Sequence, residues 1–455
     1  MPDLRAVHSA VKREDWPLAW RLSNAALNDA PESPEALYLA GCCMRALGNL
    51  GVANALLSKA LAAERKQPNL WMVYAATLHD LNRWEDAERA FKHVHAMLPD
   101  DPMPPANIGA TYVQRGMWRD AINWCDTALA KEPDNHIARI SKGFACLSLG
   151  RWRDAWTYAE ALYGNHIPVR VYNPPEREEP QWDGTKGQTV VVQCDQGVGD
   201  IIMFSQCINR MREDCKLVIV ECAKRLESYF KRNFPGVHVY GTLKDDTTPW
   251  AADYEIDAHV HISLLGRFYL NADTDFPRKA YVTPNPERLK KWRDWLAQFG
   301  KRTIGIAWRG GIQATQTHLR SVTLRDYAPL LKREATFIDL SYHDSTREVA
   351  EWNVDNAAQI IRPPIDTSNY EDTIALVAAL DDVVTVTTTV AHVCGALGRK
   401  AHVLGPAVAQ WRYAYFYKGG EQLIWYPEDS VRMFRQAKGE VEWAPAINRL
   451  DKALP

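Results

Sequence analysis

NRWEDAERAFKHVHAMLP (residues 82–99) and GMWRDAINWCDTALAKEP (residues 116–133) carry one pattern twice, 34 residues apart. The alanine at the centre of that pattern recurs at Ala19, Ala53, Ala87, Ala121 and Ala155. Five residues before it stand Gly48, Asn82, Gly116 and Gly150, and twelve residues after it stand Pro31, Pro99 and Pro133. Ala-Leu pairs at 26–27, 60–61 and 128–129 keep the same phase, and one at 161–162 falls a residue earlier. Such a period predicts a helix, a tight turn and a second helix per unit. Small residues sit where the two helices touch, glycine closes the first, and proline ends the second.

The period and its small positions resemble tetratricopeptide repeats, in about five units over residues 1–165. Arrays of this kind stack into a solenoid with a concave face. The face is expected to dock a protein or peptide; a spacer or an oligomerisation surface is the alternative. Trp71, Tyr74, Trp118, Trp124, Trp152 and Trp156 are read as helix-packing aromatics.

The whole chain, 455 residues long, exceeds what one hydrophobic core holds and calls for further domains. With 46% hydrophobic and 24% charged residues its composition is that of an ordinary soluble protein. A formal net charge of −2 supplies no global field for nucleic acid or anionic lipid, so a nucleic-acid partner has no support here. Met1–Trp16 lacks the apolar run of a signal peptide, and no stretch reaches the roughly 18 apolar residues of a membrane span. The nine cysteines show no metal-ligand spacing and read as free thiols of a reducing compartment. A cytoplasmic location is therefore expected.

Residues 166–188 lose the helical period, carry prolines and charges, and read as a linker. From residue 189 the pattern changes to short apolar, β-branched runs separated by helical stretches. Runs at 189–193, 216–222, 237–241 and 255–263 predict one parallel sheet, in a lobe spanning 189–290. Runs at 302–308, 335–342, 357–363, 382–387 and 400–406 predict a second, in a lobe spanning 300–425. Two Rossmann-like lobes facing a cleft suit a nucleotide-bearing ligand, because such ligands sit at the C-terminal ends of parallel strands.

Four groups of residues carry candidate chemistry. Gly197-Val198-Gly199-Asp200 follows a strand and opens a helix. The glycines permit close backbone approach, and Asp200 is a candidate general base. Its alternative is a helix-start carboxylate satisfying free amides, a position that makes it a weaker base. Trp308-Arg309-Gly310-Gly311, with His318, Arg320 and Ser321 downstream, suits a diphosphate, against a surface arginine in a salt bridge. Thr387-Thr388-Thr389, running into a helix that carries His392, offers hydroxyls and amides to phosphate oxygens, with a structural histidine as the alternative. Trp411-Arg412-Tyr413, Trp425-Tyr426-Pro427 and the run 431–436 read as packing aromatics.

In order and spacing, QGVGDIIMF, AWRGG…HLRS, TTTVAHVCGALGRKAHVLGP, WRY and WYP…VRMFRQ are similar to heptosyltransferase-like glycosyltransferases that follow tetratricopeptide repeats in bacterial proteins. The likeness covers roughly residues 1–450. It implies a GT-B fold, with an acceptor lobe (189–290), a donor lobe (300–425) and a C-terminal helix within 426–455 crossing back to the first lobe. It further implies an inverting, metal-independent glycosyltransferase of hexosyl or heptosyl type, with a nucleotide sugar as cosubstrate and no other cofactor. Asp200 matches the proposed base. Gly197, Gly199, Trp308, Arg309, Gly310, Arg320, Ser321, Thr387, Thr388, Thr389 and His392 fall on donor-side positions. Where heptosyltransferases have aspartate this chain has Thr387, which argues against heptose as the sugar. The acceptor is expected to be a protein or peptide, or a saccharide. The competing expectation is a non-catalytic repeat scaffold with a degenerate nucleotide-sugar-binding half.

Overall fold

The computed structural model describes residues 4–163, 177–243, 247–311, 317–356, 359–440 and 442–455. The chain divides into two compact units, Met1–Cys146 and Leu147–Pro455.

The first unit is a helical solenoid of tetratricopeptide type. Its helices alternate as α1 (Arg5–Lys12), α2 (Trp16–Asp29), α3 (Pro34–Ala46), α4 (Leu50–Ala63), α5 (Pro68–Asp80), α6 (Trp84–Met97), α7 (Met103–Gln114), α8 (Trp118–Leu129) and α9 (His136–Ser148), the last crossing the division. The periodic alanines Ala19, Ala53, Ala87 and Ala121 are fully buried, each on the second helix of a pair. Glycine on the first helix serves the same approach: a Cβ on Gly41 would come within 2.6 Å of Leu57 Cγ, and one on Gly109 within 2.5 Å of Cys125 Sγ. The turn between paired helices needs a left-handed residue, supplied at Glu14 (φ 57°), Gly48 (79°), Asn82 (61°) and Gly116 (69°). Asn82 thus stands in for glycine, and Glu14 occupies the same phase in the first pair. Leu37, Leu57, Leu61 and Leu70 close the seam between neighbouring pairs, and burying each such leucine contributes ~1.5–3 kcal/mol.

The second unit opens with α10 (Trp152–Trp156) and α11 (Ala159–Tyr163), so the fifth repeat, placed with the array by its sequence, has its second helix here. The reason is aromatic anchoring. Trp152 Nε1 donates to Asp273 (2.7 Å) and its ring meets Phe276, Tyr415 and Trp425. Trp156 Nε1 donates to the Leu270 carbonyl (2.6 Å). Within the expected linker, residues 166–176 lie outside the described residues; Pro180–Trp182 pairs with the strand edge at His259.

Two all-parallel sheets follow. The first is built from β1 (Thr189–Gln193), β2 (Leu217–Glu221), β3 (His238–Tyr240) and β4 (Ala258–His261) in the order β3-β2-β1-β4. Between its strands run α12 (Val198–Ser205), α13 (Ile208–Asp214) and α14 (Glu227–Asn233), with α15 (Gly266–Tyr269) after β4. The helix α16 (Pro286–Ala297), capped by Asn285, leads to the second sheet. That sheet comprises β5 (Thr303–Ala307), β6 (Thr336–Asp339), β7 (Ile360–Ile361), β8 (Asp382–Val386), β9 (Ala401–Gly405) and β10 (Val431–Arg435), ordered β10-β9-β8-β5-β6-β7. Its helices are α17 (Thr346–Asp355), α18 (Tyr370–Ala379), α19 (Thr389–Leu397) and α20 (Ala444–Ala453). Strands β1, β5, β8 and β9 are buried along their whole length, as strands covered on both faces must be.

Two features of the chain's end differ from the expectation. Residues 431–435 form an edge strand of the second sheet, because Val431, Met433 and Phe434 bury their side chains there. The final helix stays with that sheet rather than crossing back: Ala446, Ile447, Leu450 and Leu454 form one apolar stripe in a core with Ile304, Phe337, Val384 and Phe434. Among the described residues no helix is long and apolar enough to cross a membrane.

Candidate functional site

In an open parallel sheet, neighbouring strands whose connections leave in opposite directions create a crevice at their C-terminal ends. The first sheet has this switch between β1 and β4, the second between β5 and β8. Each of the chemically suggestive segments begins at one of those four strand ends or packs beside it.

Beyond β1, Gly197 caps α12 and Asp200 lies in its first turn, where the helix dipole favours a carboxylate. Asp200 is gripped by the fork of Arg412: Nε reaches Oδ1, and NH2 reaches Oδ2 at 2.6 Å. Both side chains are mostly buried, with 13% and 21% of their surface exposed, so water screens the pair weakly. Arg412 belongs to the short helical turn Trp411–Tyr413 after β9, and its guanidinium lies 4.7 Å from the Trp411 ring centroid. This pair was not legible beforehand. The sole signal was an arginine between two aromatics after a strand end.

Gly199 explains how α12 comes so near α19. A Cβ there would lie 2.8 Å from His392 Cδ2 and 3.4 Å from Thr389 Oγ1. His392 is buried, with Nδ1 2.5 Å from the Tyr426 hydroxyl and Nε2 2.8 Å from that of Tyr413. Tyr413 in turn donates to the Thr388 carbonyl at 3.3 Å. One assignment satisfies every group: Tyr426 donates to Nδ1, Nε2–H donates to Tyr413, and Tyr413 donates to the carbonyl. Burial holds His392 neutral and lowers its pKa to about 3, against the opposing pull of Asp200. In this geometry His392 clamps Tyr413, and through it the Arg412 turn, to the start of α19; both its nitrogens are engaged.

At the β8 end, Thr388 caps α19 by accepting from Val390 N (3.2 Å) and meets Thr385 Oγ1 at 2.9 Å. Thr387 is buried and takes two hydrogen bonds from Arg320, Nε to Oγ1 at 3.1 Å and NH2 to the carbonyl. Burial depresses the Arg320 pKa, with Tyr413, Arg412 and Asp200 the next influences. Asp200, Arg412, Arg320, Thr387, Thr389 and His392 therefore form one cluster drawn from both sheets.

The β5 segment divides. Gly310 N donates to Ser321 Oγ (3.1 Å), and Ser321 donates to the Thr317 carbonyl (2.7 Å). A Cβ on Gly310 would lie 3.1 Å from the Arg320 carbonyl and 3.2 Å from that of Thr387, so glycine lets this loop press against the β8 end. Trp308 and Arg309, in contrast, point elsewhere. Trp308 is fully buried in the second core, and Arg309 pairs with Glu348 of α17 at 2.8 Å.

The first sheet adds a buried polar layer that its sequence did not flag. Asp195, just past β1, has Oδ2 3.3 Å from Nδ1 of His261, the last residue of β4, and Gln193 donates to Glu221 at 3.1 Å across the ends of β1 and β2. Among the described residues no group of three or more His, Cys, Asp or Glu side chains is placed to hold a metal ion. A cavity of about 670 Å³ opens at the opposite, N-terminal edge of β9 and β10, lined by Lys400, His402 and Arg432 among others. Strand-end position, not that volume, singles out the Asp200 cluster.

Comparison with known proteins bears on the first unit. The family described as Anaphase-promoting complex, cyclosome, subunit 3 matches residues 15–94. The N-terminal unit is a TPR-like helical solenoid. Similar solved structures include TTC0263, a thermophilic TPR protein of Thermus thermophilus, at 22% identity over 36% of this chain and 89% of that one, TM-score 0.32. MamA from Desulfovibrio magneticus is 21% identical over 34% of this chain and 86% of that one, TM-score 0.31. YrrB, described as a TPR protein with an unusual peptide-binding site, is 16% identical over 35% and 84%, TM-score 0.31. No curated protein matches the chain.

Proposed function

We propose that the second unit is a glycosyltransferase of GT-B type, in which Asp200 activates an acceptor and the second sheet holds a nucleotide-sugar donor. The observation that carries this reading is the placement of Asp200, from the first sheet, among Arg412, Arg320 and the Thr387–Thr389 turn of the second. A carboxylate on one side and cations, hydroxyls and helix-start amides on the other are what transfer from a diphosphate leaving group requires.

In the proposed reaction the acceptor hydroxyl or amide loses its proton to Asp200 and attacks the anomeric carbon in line. The bond to the diphosphate oxygen breaks as the new glycosidic bond forms, through an oxocarbenium-like transition state, with inversion. Arg320 and the amides opening α19 meet the charge that develops on the departing diphosphate. For Asp200 to act, Arg412 must release it; the leaving group is the natural competitor for that guanidinium. Trp308 and Arg309 have no direct part in this scheme. The repeat unit would present the acceptor, a protein or peptide, with a saccharide acceptor as the alternative.

A second reading draws on the same ion pair. A base held bidentately by Arg412 is also what a binding scaffold without catalysis would display. A thermal-shift screen against free nucleotides and nucleotide sugars, with and without chelator, tests the donor site. Selective stabilisation by one nucleotide sugar, indifferent to chelator, is expected; no shift across the panel would contradict it.

A further inference from the structure

Arg435, at the C-terminal end of β10, is a cation without an anion among the described residues. Its Nε and NH2 nitrogens are buried and find no hydrogen-bond partner there. Its guanidinium lies 4.1 Å from the ring centroid of Phe416. No carboxylate among the described residues ion-pairs with it, and burial alone lowers its pKa, to about 10. Arg412 and Arg320, by comparison, are engaged with Asp200 and Thr387, and Arg309 with Glu348.

A half-buried guanidinium with two buried, unpartnered nitrogens is costly to keep, and a ligand would offset that cost. Its position indicates which one. β10 neighbours β9, which neighbours β8, so Arg435 lies at the same edge of the sheet as the Thr387 turn. Gly405, ending β9, stands between them: a Cβ there would be 2.9 Å from Met433 Cε, 3.7 Å from Arg435 Cγ and 3.8 Å from Thr387 Cγ2. Glycine there makes room for the Met433 methyl between the two strand ends. Thr387 holds Arg320 directly, and Arg435 lies two strands away at the same sheet edge, so the two cations could converge on an anion with several oxygens.

We propose that Arg435 is a ligand of the donor diphosphate, turning from the Phe416 ring toward the Thr387 turn when the nucleotide binds. The proposal rests on the donor-site reading above. It is tested by calorimetric titration of the full chain and of Arg435→Met and Arg435→Lys with a panel of nucleoside diphosphates and the matching nucleosides. The expected result is a loss of ~10–100-fold in diphosphate affinity for Arg435→Met and a smaller loss for Arg435→Lys, which keeps the charge but not the fork. Nucleoside affinity should be unchanged, and the melting temperature of Arg435→Met equal or higher, since a buried unpaired charge has been removed. Diphosphate affinity unchanged in both variants would overturn the role of Arg435 while leaving the donor site standing. A wild-type chain that binds no nucleoside diphosphate would overturn both.

Discussion

The two parallel sheets of the second unit share a topology principle and end in opposite chemistry. The first sheet closes on acids and their partners: Asp195 beside His261, Glu221 beside Gln193, and Asp200 at the start of α12. The second closes on Arg320, Arg412 and Arg435 with a run of threonines opening α19. Where backbone geometry is so alike, the proposed function rests on the division of charge: one edge would take a proton, the other would hold a polyanion. The Asp200–Arg412 pair is where the two edges meet.

The sharpest way to break this contrast is to neutralise the acid side. Asp200→Asn keeps the shape and should lower transfer by ~10²–10⁴-fold, the range of a general base, while leaving donor affinity within a few-fold. Steady-state rates beside a donor titration check it. Equal rates in both proteins would remove Asp200 as the base.

Neutralising the cation side should do less. Arg320→Met is expected to lower kcat/KM by ~10²–10³-fold, the loss seen when one stabilising donor of a developing anion is removed. A change confined to KM would assign Arg320 to uniform binding instead.

The clamp between the edges predicts an acid response. His392 is held neutral, with its pKa lowered to about 3 when folded against ~6.5 unfolded. Between those values the unfolded chain binds the extra proton, so this stability is complete above ~6.5 and is lost as pH falls toward 3. At pH 5.5 the loss is on the order of 1 kcal/mol. His402, lowered to about 4 by burial, adds to the slope in the same direction. His392→Gln should therefore show a shallower fall in the melting temperature of the α/β unit from pH 7 to 5. A slope unaltered by the substitution would place the acid sensitivity elsewhere.

The smallest effect belongs to the repeat unit, whose turns carry no chemistry. Asn82 holds φ 61° where neighbouring repeats use glycine. Asn82→Gly should change stability by ~1 kcal/mol or less, seen as a shift of the first unit's melting transition without any change in turnover.

These predictions also show how far the sequence could be read. Ala53 or Gly116 is legible because a repeat multiplies each local constraint; the same steric demand appears every 34 residues. The strands were legible where burial on both faces makes an unbroken apolar run, as in Val190–Val192. β10 was not, because Arg432 and Arg435 interrupt its apolar pattern. The long-range pairs were invisible for a different reason. Arg412 and Asp200 are 212 residues apart, and no local rule links a loop arginine to one helix-start carboxylate among many. For His392 the sequence leaves a phosphate-side residue and a structural histidine both open, because the two tyrosines that engage it come from elsewhere in the chain. Trp308 and Arg309 show the converse. Their motif suggested a ligand, yet strand-end geometry sends one into the core and the other to Glu348.

The most direct test is the release of nucleoside diphosphate from a panel of nucleotide sugars, measured with the wild-type chain and with Asp200→Asn at matched donor occupancy. One donor should be bound by both proteins and consumed by the wild type alone. Consumption at equal rates by both, or no binding of any donor by either, would contradict the division of labour between the two sheet edges.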